Sequence, residues 1–139
     1  MNDQYATDPA LASLFDFARQ AALYSYSPYS GFRVGAALQL SNGEIVTAAN
    51  VECSSYGLSL CAERAALVRA IAQFGPEITI AAVAVTNLNN APSPPCGACR
   101  QMLSEFIAPQ TPVRFSAADG PRTVLFSELF PQAFVLKSK

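Results

Sequence analysis

Three cysteines and one glutamate stand at the starts of two predicted helices. Cys61 and Glu63 lie in "LCAERAALVRA", and Cys96 and Cys99 lie in "PCGAC". A Cys-x-x-Cys pair in a first helical turn places both sulfurs on one side of the helix. The free N–H groups and the positive end of the helix dipole lower thiol pKa values there and favour thiolates. Because thiolates are zinc ligands, these residues predict a metal site.

The number of candidate ligands indicates what kind of metal site this is. If the two helix starts face one another outside the carboxyl ends of strands, three thiolates converge. Three protein ligands and an open position are typical of catalytic zinc, whereas structural zinc normally takes four ligands. Zinc lowers the pKa of its water from about 15.7 toward about 7. Glu63 lies on a different side of the first turn from Cys61, so it can reach the open side and carry the proton.

Each of these residues also has a simpler interpretation when it is considered alone. The "CGAC" pair is compatible with a redox dithiol, or with half of a four-cysteine structural site that uses Cys53 as the fourth ligand. Glu63 alone suits a solvated first-turn carboxylate, and Arg64 and Arg100 suit surface charges. The combination of "CAE" with a later "PCGAC" favours catalysis, because it resembles the zinc deaminase signature with three cysteines.

Alternating helices and strands position these residues. Asp8 and Pro9 begin an amphipathic helix in "TDPALASLFDFARQAALYSY". The segments "FRVGAALQL" and "IVTAANVE" are predicted strands, joined by a hairpin turn at Asn42-Gly43. The second strand leads toward Cys61.

The remaining segments continue the alternation of helices and strands. A second helix is predicted from Cys61 to Phe74, with Gly75 as its stop. The apolar run "ITIAAVAVTN" predicts a strand buried on both faces, and the third helix is "CGACRQMLSEFI". Two short strands, "PVRFSAA" and "RTVLFS", and a closing element, "ELFPQAF", follow. Both metal-site helices are expected directly after strands, in an α/β sheet covered on both faces.

Composition narrows the classes of protein to which the chain could belong. Its 139 residues suit one domain, expected over residues 1–139. Charged residues make up 14%, against roughly 25% in an ordinary soluble chain, which favours an oligomer. A net charge of −1 without a basic run argues against binding a nucleic-acid polymer. The longest apolar run is too short for a membrane span, and nothing in the N-terminal residues argues for export. We therefore expect a cytoplasmic protein with reduced thiols rather than a disulfide scaffold.

Three long motifs together resemble those of the small homotetrameric cytidine deaminases: "YSPYSGFRVGAAL", "NVECSSYGLSLCAERAAL" and "SPPCGACRQML". The resemblance covers most of residues 20–107. It implies a three-layer α/β/α sandwich with a mixed, roughly five-stranded sheet. It also implies one zinc ion per chain, bound by Cys61, Cys96 and Cys99, with Glu63 as general acid and base. The implied reaction is hydrolytic deamination of cytidine and 2′-deoxycytidine to uridine and 2′-deoxyuridine, with release of ammonia, in pyrimidine salvage.

The resemblance also implies roles for residues around the zinc ion. Three thiolates on divalent zinc leave a formal charge of −1, which Arg64 would offset by donating hydrogen bonds to sulfur, with Arg100 as a further candidate. The nucleoside would be bound by Asn50 and Glu52 at the ribose hydroxyls, by Phe32 against the pyrimidine and by the backbone of Ala62 at the base. Neighbouring subunits would complete each pocket with Tyr56, the backbone near Ser54, and Phe134 or, as an alternative, Phe130.

Several rival interpretations stay open at this point. A deaminase of small free heterocycles, resembling blasticidin-S deaminase, would share the three-cysteine site, but "NVEC" and "SYGL" favour a nucleoside. Relatives that act on polymers usually carry "HAE" in place of "CAE". A noncatalytic zinc module would use Cys53 as a fourth ligand and would not need Glu63. Cys53 also marks a departure, because the family usually has asparagine there.

Overall fold

A mixed, five-stranded sheet forms the centre of the molecule. A computed structural model describes residues 8–136, with strands in the order β2-β1-β3-β4-β5. The β3–β4 pair is parallel, and the other neighbours are antiparallel. The strands are β1 (Val34–Leu40), β2 (Ile45–Ala49), β3 (Ile80–Asn87), β4 (Pro112–Ala117) and β5 (Gly120–Leu125). The helices are α1 (Pro9–Ala22), α2 (Ala62–Phe74), α3 (Gly97–Leu103) and α4 (Phe126–Leu129).

Helices cover both faces of this sheet, which confirms the predicted α/β/α sandwich. In the β1–β3 register, Ala37 pairs with Ala84, and both side chains pack in the buried cluster that includes α1. Leu38 pairs with Val83, and both belong to the cluster that includes α2 and Leu103 of α3. Successive side chains of a strand point to opposite faces, so small residues meet α1 and large ones meet α2. Within residues 8–136, no helix has the length and apolar character that crossing a membrane requires.

The local signals for helix ends and turns are confirmed. The Asp8 Oδ1 accepts a hydrogen bond from the Ala10 N–H at 2.9 Å, and Pro9 is the first residue of α1. Gly75 ends α2 with φ +91°, a conformation that favours glycine. Gly43, in the turn between β1 and β2, also has φ +91°. These signals depend only on residues close in sequence, which is why the sequence predicts them well.

Two predicted elements are shorter than expected. The second strand ends at Ala49 rather than continuing to Glu52, because Val51 leaves the sheet and forms isolated bridges with Tyr26 and Leu60. The third helix ends at Leu103 rather than Ile107. The helix α2 follows residues 50–61, which include a single 3₁₀ turn (Tyr56–Leu58), and α3 follows the loop 88–96. The expectation that both helices come directly after strands is wrong.

Gly35 in β1 lets α1 approach the sheet closely. A Cβ added there would lie 1.9 Å from the Ala18 carbonyl oxygen and 2.5 Å from the Ala22 nitrogen, both backbone atoms of α1. We expect Gly35→Ala to lower the free energy of unfolding by about 3 kcal/mol, because helix and strand must separate to admit a methyl group. Urea unfolding measures this, with Gly57→Ala as the control because a Cβ at Gly57 meets open space. Equal stability of the two variants would contradict the close packing.

Candidate active site

Three of the four cysteines gather at one end of the sheet. Their Sγ atoms all lie within 4.8 Å of one another; Cys61 and Cys96 are 3.8 Å apart, and Cys96 and Cys99 are 3.4 Å apart. Zinc–sulfur bonds of about 2.3 Å in a tetrahedron place sulfur atoms about 3.8 Å apart, so this donor set fits one zinc ion. Cys53 lies outside the group, and all four cysteines are free thiols. The four-ligand and disulfide interpretations therefore do not match the structure.

The starts of α2 and α3 position these sulfurs. Cys61 is the N-cap residue of α2 and Cys96 is that of α3, and neither side chain makes a capping hydrogen bond. Both sulfurs are therefore free to face the same point. Hydrogen bonds from the Cys99 thiol and then from the Arg64 guanidinium hold the pKa of Cys61 well below its usual value, whereas the hydrogen bond to Cys61 raises the pKa of Cys99. The lowered pKa of Cys61 favours the thiolate that binds a metal.

The two arginines named from the sequence have different partners. The Arg64 Nη2 lies 3.6 Å from the Cys61 Sγ, within hydrogen-bond reach of sulfur. The Arg100 guanidinium instead donates to carbonyl oxygens, from Nε to Pro95 at 2.6 Å and from Nη1 to Leu129 at 2.7 Å. Arg64 thus lies where the sequence analysis expected, whereas the contacts of Arg100 join the residue before Cys96 to the end of α4.

Glu63 lies at a cavity of about 250 Å³ beside the cysteines. The residue is only 4% exposed, and this burial raises the pKa of its carboxyl to about 7. A carboxyl group with a pKa near neutrality is suited both to accept and to donate a proton. The cavity is lined by Phe32, Val34, Asn50, Cys61, Ala62, Glu63, Val85, Pro92, Ser93, Pro94 and Cys96. The predicted general base and two predicted ligands therefore share one cavity.

Asn50 is held at the cavity by three hydrogen bonds. Its Nδ2 donates to the Phe32 carbonyl at 2.8 Å, and its Oδ1 accepts from the Val34 N–H at 3.0 Å and from the Ser25 hydroxyl at 2.5 Å. An amide has two N–H donors, so one remains for a ligand. Phe32 and Ala62 also line the cavity, as their predicted substrate-binding roles require.

Three other predicted substrate-binding residues lie outside the lining of this cavity. The Glu52 carboxylate accepts hydrogen bonds from the N–H groups of Tyr29 and Ser30 and from the Ser30 hydroxyl. The Ser30 hydroxyl is the largest influence that lowers the pKa of Glu52. Tyr56 is 77% exposed and Phe134 is 67% exposed, so neither side chain is enclosed within its own chain.

Phe130, the alternative to Phe134, has a different environment. Its ring is half-buried, packs against the main core and lies 6.2 Å from the Phe126 ring in an edge-to-face arrangement. Of the two phenylalanines, Phe130 therefore contributes to the core of its own chain, whereas the Phe134 side chain is exposed.

The loop before Cys96 also lines the cavity, through Pro92, Ser93 and Pro94, a role that the sequence patterns do not predict. Asn87, which is 4% exposed, organises this loop: its Nδ2 donates to the Ala91 carbonyl at 2.7 Å and to the Ser93 hydroxyl at 2.9 Å. Its Oδ1 accepts from the N–H groups of Asn89 and Ala91. An asparagine at the end of a buried strand, before the turn-rich "LNNAPSPP", is the signal that could have indicated this role.

The chain is similar in sequence to known proteins over most of its length. Residues 10–114 match the family model described as the cytidine and deoxycytidylate deaminase zinc-binding region. The chain is 42% identical over 118 residues to a cytidine deaminase of Halalkalibacterium halodurans, covering 84% of this chain and 88% of that protein. A cytidine deaminase of Mycobacterium tuberculosis is 42% identical over 123 residues, covering 86% of this chain and 85% of that one.

Solved structures give the same result. The crystal structure of cytidine deaminase from Burkholderia pseudomallei has a TM-score of 0.80 at 40% identity, covering 88% of this chain and 98% of that chain. That of cytidine deaminase from Mycobacterium tuberculosis has a TM-score of 0.79 at 37% identity, covering 93% of this chain and 100% of that chain. The structural comparisons therefore indicate the same family as the sequence comparisons.

Proposed function

Because this chain belongs to the cytidine and deoxycytidylate deaminase family, we propose that it is a single-domain, zinc-dependent hydrolase of nucleosides. It converts cytidine and 2′-deoxycytidine to uridine and 2′-deoxyuridine, and releases ammonia. Its four free thiols suit a reducing compartment, which supports a cytoplasmic enzyme of pyrimidine salvage.

The observation that carries this proposal is the buried carboxyl of Glu63 in the same cavity as two cysteine ligands. Cys61, Cys96 and Cys99 hold the zinc ion, which supplies Lewis-acid activation of water at neutral pH. Arg64 donates to the Cys61 sulfur and offsets the negative charge of three thiolates. A metal site without catalysis would have no use for a carboxyl group buried beside it.

Glu63 moves the protons of the reaction. Its carboxylate accepts a proton from the attacking water and delivers it to ring nitrogen 3 of the pyrimidine, while oxygen adds to carbon 4. It then takes the remaining proton from the oxygen now bonded to carbon 4 and passes it to the amino group. The bond between carbon 4 and the amino nitrogen breaks and a carbonyl forms at carbon 4, so that one water is consumed and one ammonia leaves. A group that both accepts and donates needs a pKa near the working pH, which the burial of Glu63 provides.

The walls of the cavity suit a flat base joined to a sugar. Phe32 offers an aromatic face to the pyrimidine, and the backbone at Ala62 offers polar groups to its edge. The free N–H of Asn50 and the carboxylate of Glu52 bind the ribose hydroxyls, because an amide donor and a carboxylate acceptor together satisfy a hydroxyl group. These features support a nucleoside over a free base.

The same proposal includes a homotetramer with shared pockets. Tyr56 and Phe134 are exposed in their own chain and would enclose a neighbour's nucleoside, with the backbone near Ser54. Further large apolar side chains are exposed, a pattern that favours burial between subunits: Leu23, Tyr24, Tyr26, Tyr29, Val51, Leu58, Val135 and Leu136. We expect a mass in solution about four times that of the chain, measured by light scattering. A monomer with full activity would contradict the shared pocket.

The experiment that tests the proposed activity compares three substrates on purified, zinc-loaded protein. Ultraviolet absorbance follows cytidine, 2′-deoxycytidine and free cytosine, and ammonia is measured in parallel. We expect both nucleosides to be converted with one ammonia per uracil product, and cytosine to react much more slowly. Zinc-loaded protein that converts none of the three, or that prefers cytosine, would overturn the proposal.

A further inference from the structure

We propose that Ser25 and Ser30 are positioning residues that fix Asn50 and Glu52 for binding the sugar of the substrate. The inference rests on the proposed function, since it takes Asn50 and Glu52 as the groups that bind ribose. It concerns the loop "SYSPYSG" between α1 and β1, residues 25–31, which the reaction described above leaves without a role.

Ser30 connects the predicted sugar-binding group with the predicted base-binding group. Its hydroxyl donates to the Glu52 carboxylate and accepts from the Phe32 N–H at 2.9 Å. Its backbone N–H donates to the other Glu52 oxygen at 3.1 Å, beside the Tyr29 N–H at 3.0 Å. One serine hydroxyl therefore links the Glu52 carboxylate to the backbone of Phe32, the residue whose side chain lines the cavity.

Ser25 supports Asn50 in an equivalent way. Its hydroxyl donates to the Asn50 Oδ1 at 2.5 Å, and its Oγ lies 3.0 Å from that of Ser27. With the Val34 N–H also donating to Oδ1, the carbonyl end of the amide is occupied and the amide orientation is fixed. The second N–H of the amide is then available to a hydroxyl oxygen in the cavity that Asn50 lines.

These contacts matter because Asn50 and Glu52 lie beyond the end of β2, in an irregular segment. A glutamate side chain that is free to rotate loses rotamer entropy when it binds a ligand. A carboxylate already held by three donors has lost that freedom on folding, so binding the sugar costs less. The loop thus makes the sugar site rigid before the nucleoside arrives.

The test is a panel of variants and sugars. We expect Ser30→Ala to raise KM for cytidine about tenfold, the effect of losing a hydrogen bond to a charged group, with kcat changed by less than about threefold. Ser30→Thr keeps a hydroxyl and should restore KM. Ser25→Ala should raise KM in the same direction. Ser41→Ala is the control, because its hydroxyl accepts from Thr79 at the opposite end of β1 and should leave both constants unchanged.

The sugar panel separates positioning from general damage. In the wild type, kcat/KM should fall strongly as hydroxyls are removed from cytidine to 2′-deoxycytidine to 2′,3′-dideoxycytidine. In Ser30→Ala it should fall much less, because the sugar site of this variant is already impaired. A Ser30→Ala variant that loses the same factor on all three nucleosides, or that keeps the wild-type KM, would overturn the inference.

A measurement independent of activity keeps the inference distinct from the proposed function. Carbon NMR of the Glu52 carboxyl should show a higher pKa in Ser30→Ala and a return toward the wild-type value in Ser30→Thr, because the serine hydroxyl stabilises the carboxylate. An unchanged pKa would refute the positioning role even in an active enzyme. A wild type without deaminase activity would refute the proposed function instead.

Discussion

Glu63→Gln is expected to lower kcat for cytidine by about 10³- to 10⁴-fold, the upper part of the range for general acid–base catalysis. Glutamine has nearly the shape of glutamate, but its amide neither accepts a proton from water nor delivers one to ring nitrogen 3. The variant should still bind one zinc ion per chain, because all three cysteine ligands remain. Single-turnover kinetics and a zinc assay on the same preparation measure the two quantities.

The folded state should tolerate this change. Burial of the Glu63 carboxyl disfavours its charged form, so a neutral amide at the same place should not lower the midpoint of thermal unfolding. Glu77→Gln, an exposed carboxylate beyond the end of α2, is the matched control and should keep full activity. A Glu63→Gln enzyme that retains more than about a tenth of the wild-type kcat would remove Glu63 from the proton-transfer role.

Cys99→Ala should remove both zinc and activity. Cys99 is completely buried in the first turn of α3, and Cys53, the remaining cysteine, lies outside the group of three sulfurs and cannot replace it. Mutating a residue that only hydrogen-bonds to a metal ligand weakens metal affinity by about 10- to 100-fold. Removing the ligand itself should weaken zinc affinity by more than this. Competition with a chelator of known affinity measures the change.

Cys53→Ala is the control that distinguishes the two possible ligand sets. Because Cys53 lies outside the group of three sulfurs, its replacement should leave zinc affinity within about threefold of the wild type. If Cys53→Ala abolished zinc binding and Cys99→Ala retained it, the zinc ligands would not be Cys61, Cys96 and Cys99. Circular dichroism of each variant confirms that the α/β fold is retained.

The features that could be predicted from the sequence are those decided by neighbours along the chain. Asp8 and Pro9 begin a helix, Gly75 ends one and Gly43 allows a hairpin turn, and each effect involves only a few adjacent residues. The cysteine ligands could be predicted because Cys61 and Cys96 are N-cap residues, and helix starts are readable from sequence. Their convergence follows once both helices lie at the same end of one sheet.

The features that could not be predicted depend on partners distant in sequence. The Arg100 guanidinium bonds the Leu129 carbonyl, 29 residues further along the chain, and no local pattern distinguishes that contact from a role at sulfur. The Glu52 carboxylate bonds Ser30, 22 residues earlier. The end of β2 was misplaced because Val51 pairs with Leu60 and Tyr26 instead of continuing the ladder. Such contacts are set by tertiary packing, which overrides local propensity.

The contacts of α3 with the C-terminal segment bear on how this protein should be handled as a reagent. The Arg100 guanidinium is bonded to the Leu129 carbonyl, and the Gln101 side chain donates to the Phe134 carbonyl at 3.0 Å. Both hydrogen bonds start from the helix that carries Cys99, so we expect displacement of residues 129–134 to disturb the metal site. A purification tag or fusion partner is therefore better attached ahead of α1, and a C-terminal truncation should keep Leu129 and Phe134.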